Sequence, residues 1–408
     1  MTDGSGLTTY EYDSQSHLLS KATPQGTLRY TYDNNGNVTS VASSNPNGAS
    51  VTYEYDALDR LTAVNDSRLG ATAYTYDAVG NVRALSGPNG IACSYEYDVR
   101  NRMTRLQHGT LASFEYGFDR VGNRISSTEV PPAGASATDR LYAYDALDRL
   151  KTESVSINGL PALLDYSYDA VGNRLSRSST LALLPASSDT FDGNDRPARD
   201  SFDSNGNTIA STNASVPALD EYDFADRMVR RTTTLNSQPV TFTFFYDGDG
   251  QRARKTVGAT TTHYLVDELN PTGWPQVIEE LTSVNGGAPA VTRVYTWGRG
   301  LIGQDQFDGA AWQPQICGSD AMGSVRFLTD LDGNVTDQFS YDAFGNLIEH
   351  AGAAAFTHLY RGEQFDADLG MYYLRARYYN PDRGRFWTRD PFDGFADAPP
   401  SQHRYTYA

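Results

Sequence analysis

Two cysteines, six histidines and five methionines in 408 residues leave little sulfur or imidazole for chemistry. Cys93 and Cys317 are too few for a disulfide scaffold in a chain this size, so two small buried thiols are expected. The histidines are scattered singly. No HExxH, no CxxC and no glycine-rich phosphate loop followed by Lys-Ser/Thr occurs, so no metal or other cofactor is expected. Positive charge is short too: 33 Lys and Arg stand against 50 Asp and Glu, a formal net charge of −17. That balance argues against nucleic acid, whose phosphates require a basic face. No apolar run approaches the ~20 residues of a membrane helix, so no membrane span is expected. The opening "MTDGSGLTTYEYD" lacks the charged and apolar regions of a signal peptide. It begins in mid-pattern and reads as a piece of a longer protein.

What the chain has in plenty is tyrosine and turn residues: 27 Tyr, 17 Phe and 36 Gly. They are arranged in a repeat. Aromatic-Asp pairs end at Asp13, Asp33, Asp56, Asp77, Asp98, Asp119, Asp145, Asp169, Asp192, Asp203, Asp223 and Asp247. Most steps span 20 to 26 residues; that from Asp192 to Asp203 is 11. Before each Asp the aromatics sit two apart, as in Tyr95-Glu96-Tyr97 or Tyr166-Ser167-Tyr168, which places both rings on one face of a strand. After the Asp come a turn and a returning strand such as "NVRALS". Each unit is therefore a β-hairpin, with the tyrosines of one sheet expected on a common face.

The Asp opens the turn by accepting backbone N–H groups, and the residue three places on requires a left-handed conformation. Along the chain that residue is Ser16, Gly36, Asp59, Gly80, Asn101, Gly122, Asp148, Gly172, Asp195, Gly206, Asp226 and Gly250. Glycine takes every second turn, and the others are followed by His17, Arg60, Arg102, Arg149, Arg196 and Arg227. The unit is two hairpins long. Each of these arginines is expected to reach the neighbouring tip's aspartate or a carbonyl there, Arg60 near Asp33 or Asp77 and Arg149 near Asp119 or Asp169. The short step at Asp192 reads as truncated strands. A helical array fails on the Tyr-x-Tyr alternation; a β-propeller, with one two-hairpin unit per blade, is the competing β fold. "DGDGQR" from Asp247 and "DGNDR" from Asp192 faintly match calcium loops but fit hairpin tips better.

The repeat resembles the YD repeat of bacterial Rhs proteins, toxin-complex B and C components and animal teneurins. "GSVRFLTDLDGNVTDQFSYDAFGN" (Gly323 to Asn346) resembles the last repeat before the Rhs-associated core, and "YRGEQFDADLGMYYLRARYYNPDRGRFWTRDPF" (Tyr360 to Phe392) resembles that core's signature. The resemblance implies an all-β fold: a spiralling antiparallel β-hairpin sheet forming part of a hollow shell, with a C-terminal core plug. Residues 1–263 are then the repeat sheet, 264–318 an irregular β connection, and 319–408 the last repeat with a truncated core. One departure stands out, because Gly318 and Ser319 occupy the place of an aromatic before Asp320.

By the same resemblance the chain is an encapsulating shell of a secreted Rhs-type toxin. Its partners are a C-terminal toxin cargo and the N-terminal shell and secretion segments of the same parent chain, located outside the cell or at its surface. The alternative is an extracellular adhesion module that binds cell-surface glycans or receptors; a propeller-type glycosidase ranks below both. The self-cleaving members resemble an aspartyl protease acting in cis, and "RDPFDG" (Arg389 to Gly394) resembles the first of their two aspartate motifs. Asp390 would be one catalytic carboxylate, with Arg389 holding its charge. The second motif is absent from this sequence. An ordinary Asp-Pro turn is the competing reading. Arg375, Arg377, Arg383, Arg385 and Arg389 cluster nearby, and internal ion pairing explains them better than an anionic ligand.

Overall fold

A computed structural model describes residues 2–4, 6–132, 138–157, 160–211, 218–395, 397 and 399–407. The described residues are almost entirely antiparallel β structure, with two short 3₁₀ segments, Tyr360–Gly362 and Pro399–Gln402. Strands pair with their chain neighbours in a seventeen-strand series from Thr9–Tyr12 to Ser187–Ser188, then in a fourteen-strand series from Asp200–Phe202 to Leu347–Ala351. Long series of this kind are not the four-stranded blades of a propeller.

The expected single sheet is broken at the short step. Around the Asp192 tip the flanking strands shrink to two and three residues, and the hairpin between them is held by a Phe191–Pro197 bridge with a backbone bond from Ala198 to Thr190. Eleven residues cannot supply two full strands and a turn, and Pro197 offers no N–H to a ladder.

The Tyr-x-Tyr alternation sets the inner face. In Gly26–Tyr32, Leu28 and Tyr30 are buried while Arg29 and Thr31 are exposed; Leu160–Tyr168 repeats this with Leu164 and Tyr166. The second tyrosine of each pair sits at a register shift, as between Thr31 and Tyr32. That bulge aims its ring sideways. Its hydroxyl donates to a carbonyl of the preceding hairpin: Tyr32 to Leu18 at 2.7 Å, Tyr55 to Val38 at 3.0 Å, Tyr76 to Leu61 at 2.6 Å, Tyr144 to Arg124 at 2.8 Å and Tyr168 to Leu150 at 2.7 Å. Each such bond contributes about 1 kcal/mol and ties one hairpin to the next.

The chain forms two compact units, each assembled from separate segments. The first holds residues 1–94, 240–318 and 328–336; the second holds 95–239, 319–327 and 337–408. The first is built on aliphatic and tyrosine packing, including Leu28, Val41, Val51, Val64, Leu265 and Ile278. It contains the 264–318 segment, whose strands Gln276–Val284 and Ala290–Trp297 pair with each other. The second contains Gln364–Asp366, Met371–Leu374, Arg377–Asn380 and Arg385–Phe386, a small antiparallel sheet of its own.

Candidate functional site

Every repeat tip is built alike. At Asp33 the backbone N–H donates to the Asn37 carbonyl at 3.0 Å, while Oδ1 accepts N–H groups from Asn35 and Asn37 at 2.9 Å each. The residue three past the Asp has positive φ at all twelve tips, from 57° at Asp59 to 116° at Gly122. The same turn forms at Asp320 without a preceding aromatic: its Oδ1 accepts from Met322 and Ser324, and Gly323 has φ 81°. The local register survives because the aspartate, not the ring, makes the turn.

The alternation of tips is a two-part lock. At four of the glycine tips an Asn side chain holds its own aspartate and reaches the left-handed Asp of the next tip. Asn37 donates to Asp33 at 2.9 Å and to Asp59 at 2.8 Å, and Asn123 donates to Asp119 at 3.1 Å and to Asp148 at 2.9 Å. At the other tips the arginine binds its own aspartate and, at Arg102 and Arg149, in addition reaches a carbonyl of the adjacent tip, one of the two expected partners. Arg60 Nε donates to Asp56 at 2.8 Å and Arg149 Nε to Asp145 at 2.7 Å. The reach to the next tip ends on a carbonyl, from Arg149 to Asp169 at 2.6 Å and from Arg102 to Asp119 at 3.1 Å. It also ends on a ring: Arg60 lies 4.5 Å from the Tyr76 centroid and Arg149 4.8 Å from that of Tyr168. The Asn37 amide holds Asp33, and the Arg60 guanidinium holds Asp56, below the usual carboxylate range.

Asp390 lies in the second unit, after the small sheet. Its N–H donates to the Arg404 carbonyl at 2.8 Å, and its Oδ1 accepts from Phe392 N–H at 2.9 Å, so the Asp-Pro segment is turned and tied to the chain's end. Its charge is held by Arg377, Nη2 to Oδ2 at 2.7 Å. Arg389, expected in that role, instead faces Asp393 at 3.3 Å, and Arg404 binds the same carboxylate. The two side chains diverge because Asp390 turns back to Arg377 on the small sheet while Arg389 shares Asp393 with Arg404.

The arginines of this segment are otherwise used internally. Arg375 pairs with Glu363 at 3.1 Å. Arg383 forms a fork with the buried Asp200 and donates to Ser211 at 2.8 Å. Arg177 reaches Asp382 at 2.7 Å, Trp387 Nε1 donates to Asp220 at 2.8 Å, and Arg385 donates to the Asp195 carbonyl at 2.6 Å. Tyr405 and His403 add contacts to Gly206 and Asn173. These bonds seat the segment on the repeats.

A buried charge network, unmarked in the sequence, joins the late repeats to the earlier ones. Arg140 lies between Glu129 at 3.3 Å and Glu153 at 3.2 Å and donates to the Tyr341 carbonyl at 2.6 Å; Arg326 adds a second guanidinium to Glu129 at 2.6 Å. Burial works to raise both carboxyls. With two guanidinia Glu129 is nevertheless held down at about 2, whereas Glu153, with one guanidinium and buried Asp342 nearby, is pushed up to about 7. The only signal was an acid or base at a position that the strand alternation buries, as with Arg140 beside Tyr142 and Glu153 beside Val155.

In the first unit Asp247, Asp249 and Glu268 converge closely enough to hold a cation. Buried Lys21 already supplies one: its Nζ is 2.6 Å from Glu268 and 3.6 Å from Asp249, and Tyr10 donates to Asp249 at 2.8 Å.

The teneurin YD-shell family model matches residues 1–130 and, in a second overlapping match, 44–182. A crystal structure of TcdB2-TccC3 superposes on 99% of the chain with a TM-score of 0.79 at 18% identity. The chain belongs to the Rhs/YD-repeat family. A further TcdB2-TccC3 structure, without its hypervariable C-terminal region, matches 99% of this YD-repeat chain with a TM-score of 0.78 at 18% identity. In sequence the YD-repeat chain is 29% identical over 212 residues to the tRNA nuclease WapA of Bacillus subtilis, and 26% identical over 202 residues to Salivary gland surface protein 1 of Aedes aegypti. These alignments cover 51% and 48% of the chain but only 8% and 6% of those proteins, and the chain spans 24% of the first TcdB2-TccC3 structure. It is a shell-type YD-repeat module, matching a stretch of much longer proteins.

Proposed function

We propose that this module is part of the encapsulating shell of a secreted Rhs-type toxin, with residues 360–407 acting as its plug and a toxin cargo following in the same parent chain. The observation that carries the reading is the seating of the C-terminal segment. Buried pairs such as Arg383–Asp200 fix it to the repeats, so that a chain continuing past it would start from a rigid base. The fold likeness to TcdB2-TccC3, a protein with a hypervariable C-terminal region, supports this reading. N-terminal shell and secretion segments would complete the parent chain. The likeness to a salivary surface protein favours a second reading, adhesion at a cell surface through glycans or receptors.

We further propose that Asp390 is one carboxylate of an aspartyl pair that cuts the parent chain in cis. Two close carboxylates share a proton, so that one serves as base and the other as acid. The contact with Arg377 at 2.7 Å suits Asp390 to the base role, and a second aspartate from the following sequence would be the acid. The test is the protein extended by its native continuation. Two fragments on a denaturing gel are expected, one uncut band for Asp390→Asn, and a continuation that resists trypsin until the shell is unfolded. Cutting that persists in Asp390→Asn removes Asp390 from the chemistry. A continuation digested as fast as the free peptide removes encapsulation.

A further inference from the structure

The second unit carries a partly open cavity of about 660 Å³ lined by residues 102–150 and 320–361. That volume lies within the range of small-molecule sites, roughly 300–1,000 Å³. Aromatic rings contribute to its walls, among them Tyr116, Phe118, Tyr142, Phe344 and Tyr360. Five arginines line it as well, and three of them are already neutralised: Arg102 by Asp98, Arg140 by Glu129 and Glu153, Arg326 by Glu129 and Asp320. The lining carboxylate of Asp342 is occupied by N–H donors of Phe344 and Asn346.

Arg124 and Arg361 remain. Neither has a carboxylate within ion-pair distance among the described residues. The Arg124 guanidinium lies over Tyr142 at 4.9 Å and Tyr116 at 5.6 Å, and its one side-chain hydrogen bond, to the Tyr142 hydroxyl, is long at 3.5 Å. Arg361 lies near the rings of Tyr360 and Tyr407, at 5.8 and 5.6 Å, and its buried Nε has no hydrogen-bond partner. A guanidinium offers five donors in a planar fork, and leaving buried donors unmade is costly. Two such forks on a cavity with aromatic rings in its walls fit one kind of guest.

We infer that this cavity is a binding site for a small organic anion, a carboxylate carried on a flat apolar body. The carboxylate would engage the Arg124 and Arg361 forks, as guanidinium does carboxylate elsewhere, while the body stacks among the rings. A phosphate on the same body shares the charge but is larger and doubly ionised, and one arm of the test separates the two. The site stands apart from Asp390 and does not depend on shell or protease function.

The test is calorimetric titration of the intact chain with 4-hydroxyphenylacetate, its neutral amide, phenyl phosphate and plain acetate. The aromatic acid should bind saturably, the amide at least about tenfold more weakly, the difference expected when a charged partner is lost. Acetate should show no saturable binding, and phenyl phosphate should bind more weakly than the acid. Arg124→Gln and Arg361→Gln should each weaken the acid about tenfold while leaving the amide unchanged, and Arg124→Lys should restore part of the loss. The comparison of acid with amide in the unaltered protein holds even where a variant folds poorly. Equal affinity for acid and amide, tighter binding of the phosphate, or no binding of the acid at about 10 mM would overturn the assignment.

Discussion

At the hairpin tips an arginine finds its aspartate four residues away: Arg60 with Asp56, Arg149 with Asp145, Arg227 with Asp223, all part-exposed. In the C-terminal segment the same chemistry spans 183 residues from Arg383 to Asp200 and 205 from Arg177 to Asp382, and Arg383, Asp200 and Arg177 are buried. The tips can form hairpin by hairpin, whereas the segment's partners exist only after the strands around residues 177 and 200 have their register. Local pairs shape the turns; distant pairs hold the segment in place.

The largest difference should appear on breaking one pair of each kind. Arg383→Met strands a buried carboxylate on Asp200 and should cost about 3–5 kcal/mol, read as a lowered urea midpoint. The double variant Arg383→Met/Asp200→Leu should recover most of the loss, because no unpaired charge remains. A loss under about 1 kcal/mol in the single variant would put the long-range pair on the same footing as the tips.

The buried network gives a pH-dependent version of the contrast. Folding raises the Glu153 carboxyl from its ordinary 4.5 to about 7. The folded protein therefore keeps that proton across a window in which the unfolded chain releases it. The resulting stabilisation is complete below about pH 4.5 and is lost as pH rises through about 7, on the order of 3 kcal/mol. Glu129, lowered to about 2, works in the other direction: its stabilisation is present above about 4.5 and is lost as pH falls towards 2. Glu153→Gln should flatten the profile between pH 4.5 and 7 and leave the acid limb. An unchanged slope in that variant would assign the proton to another group.

The turns were legible from sequence because a turn is decided within five residues. Asp and a left-handed residue three places on sufficed for all twelve tips, and the Tyr-x-Tyr alternation correctly placed the buried face. The Arg377–Asp390 contact was hidden because it joins the start of a strand to the turn that follows the small sheet, and their approach depends on how that sheet folds. The Glu129–Arg140–Arg326 network was hidden for the same reason, since its members lie up to 197 residues apart. Even at the tips, sequence gave each arginine a neighbour to reach without showing that it also binds its own aspartate.

A smaller effect tests the left-handed position itself. At Gly80, φ is 97° and an added Cβ would meet nothing within 4 Å. Gly80→Ala therefore isolates the torsional cost, about 1–2 kcal/mol. Asp148→Gly should come out within about 0.5 kcal/mol of the unaltered protein. It relieves the left-handed strain at φ 58° but removes the carboxylate that accepts from Asn123 at 2.9 Å. Thermal unfolding of the two variants side by side would show whether the non-glycine tips keep Asp for its carboxylate.

The smallest expected change comes from the arginine of a single tip. Arg149→Met removes the contact with Asp145, the bond to the Asp169 carbonyl at 2.6 Å and the cover over Tyr168. The turn at Asp145 should persist, because Oδ1 still accepts N–H groups from Leu147 and Arg149 at 2.9 and 3.0 Å, bonds made by backbone and indifferent to the side chain. Methionine also keeps much of the apolar stem that packs on the ring. The loss should stay below about 1 kcal/mol and shrink further in high salt, as for part-exposed pairs. Arg149→Lys distinguishes charge from geometry: a lysine cannot present a fork to carboxylate and carbonyl at once, so it should resemble methionine more than arginine. If lysine instead restores full stability, the tips need only a positive charge, and the two-part lock reduces to electrostatics.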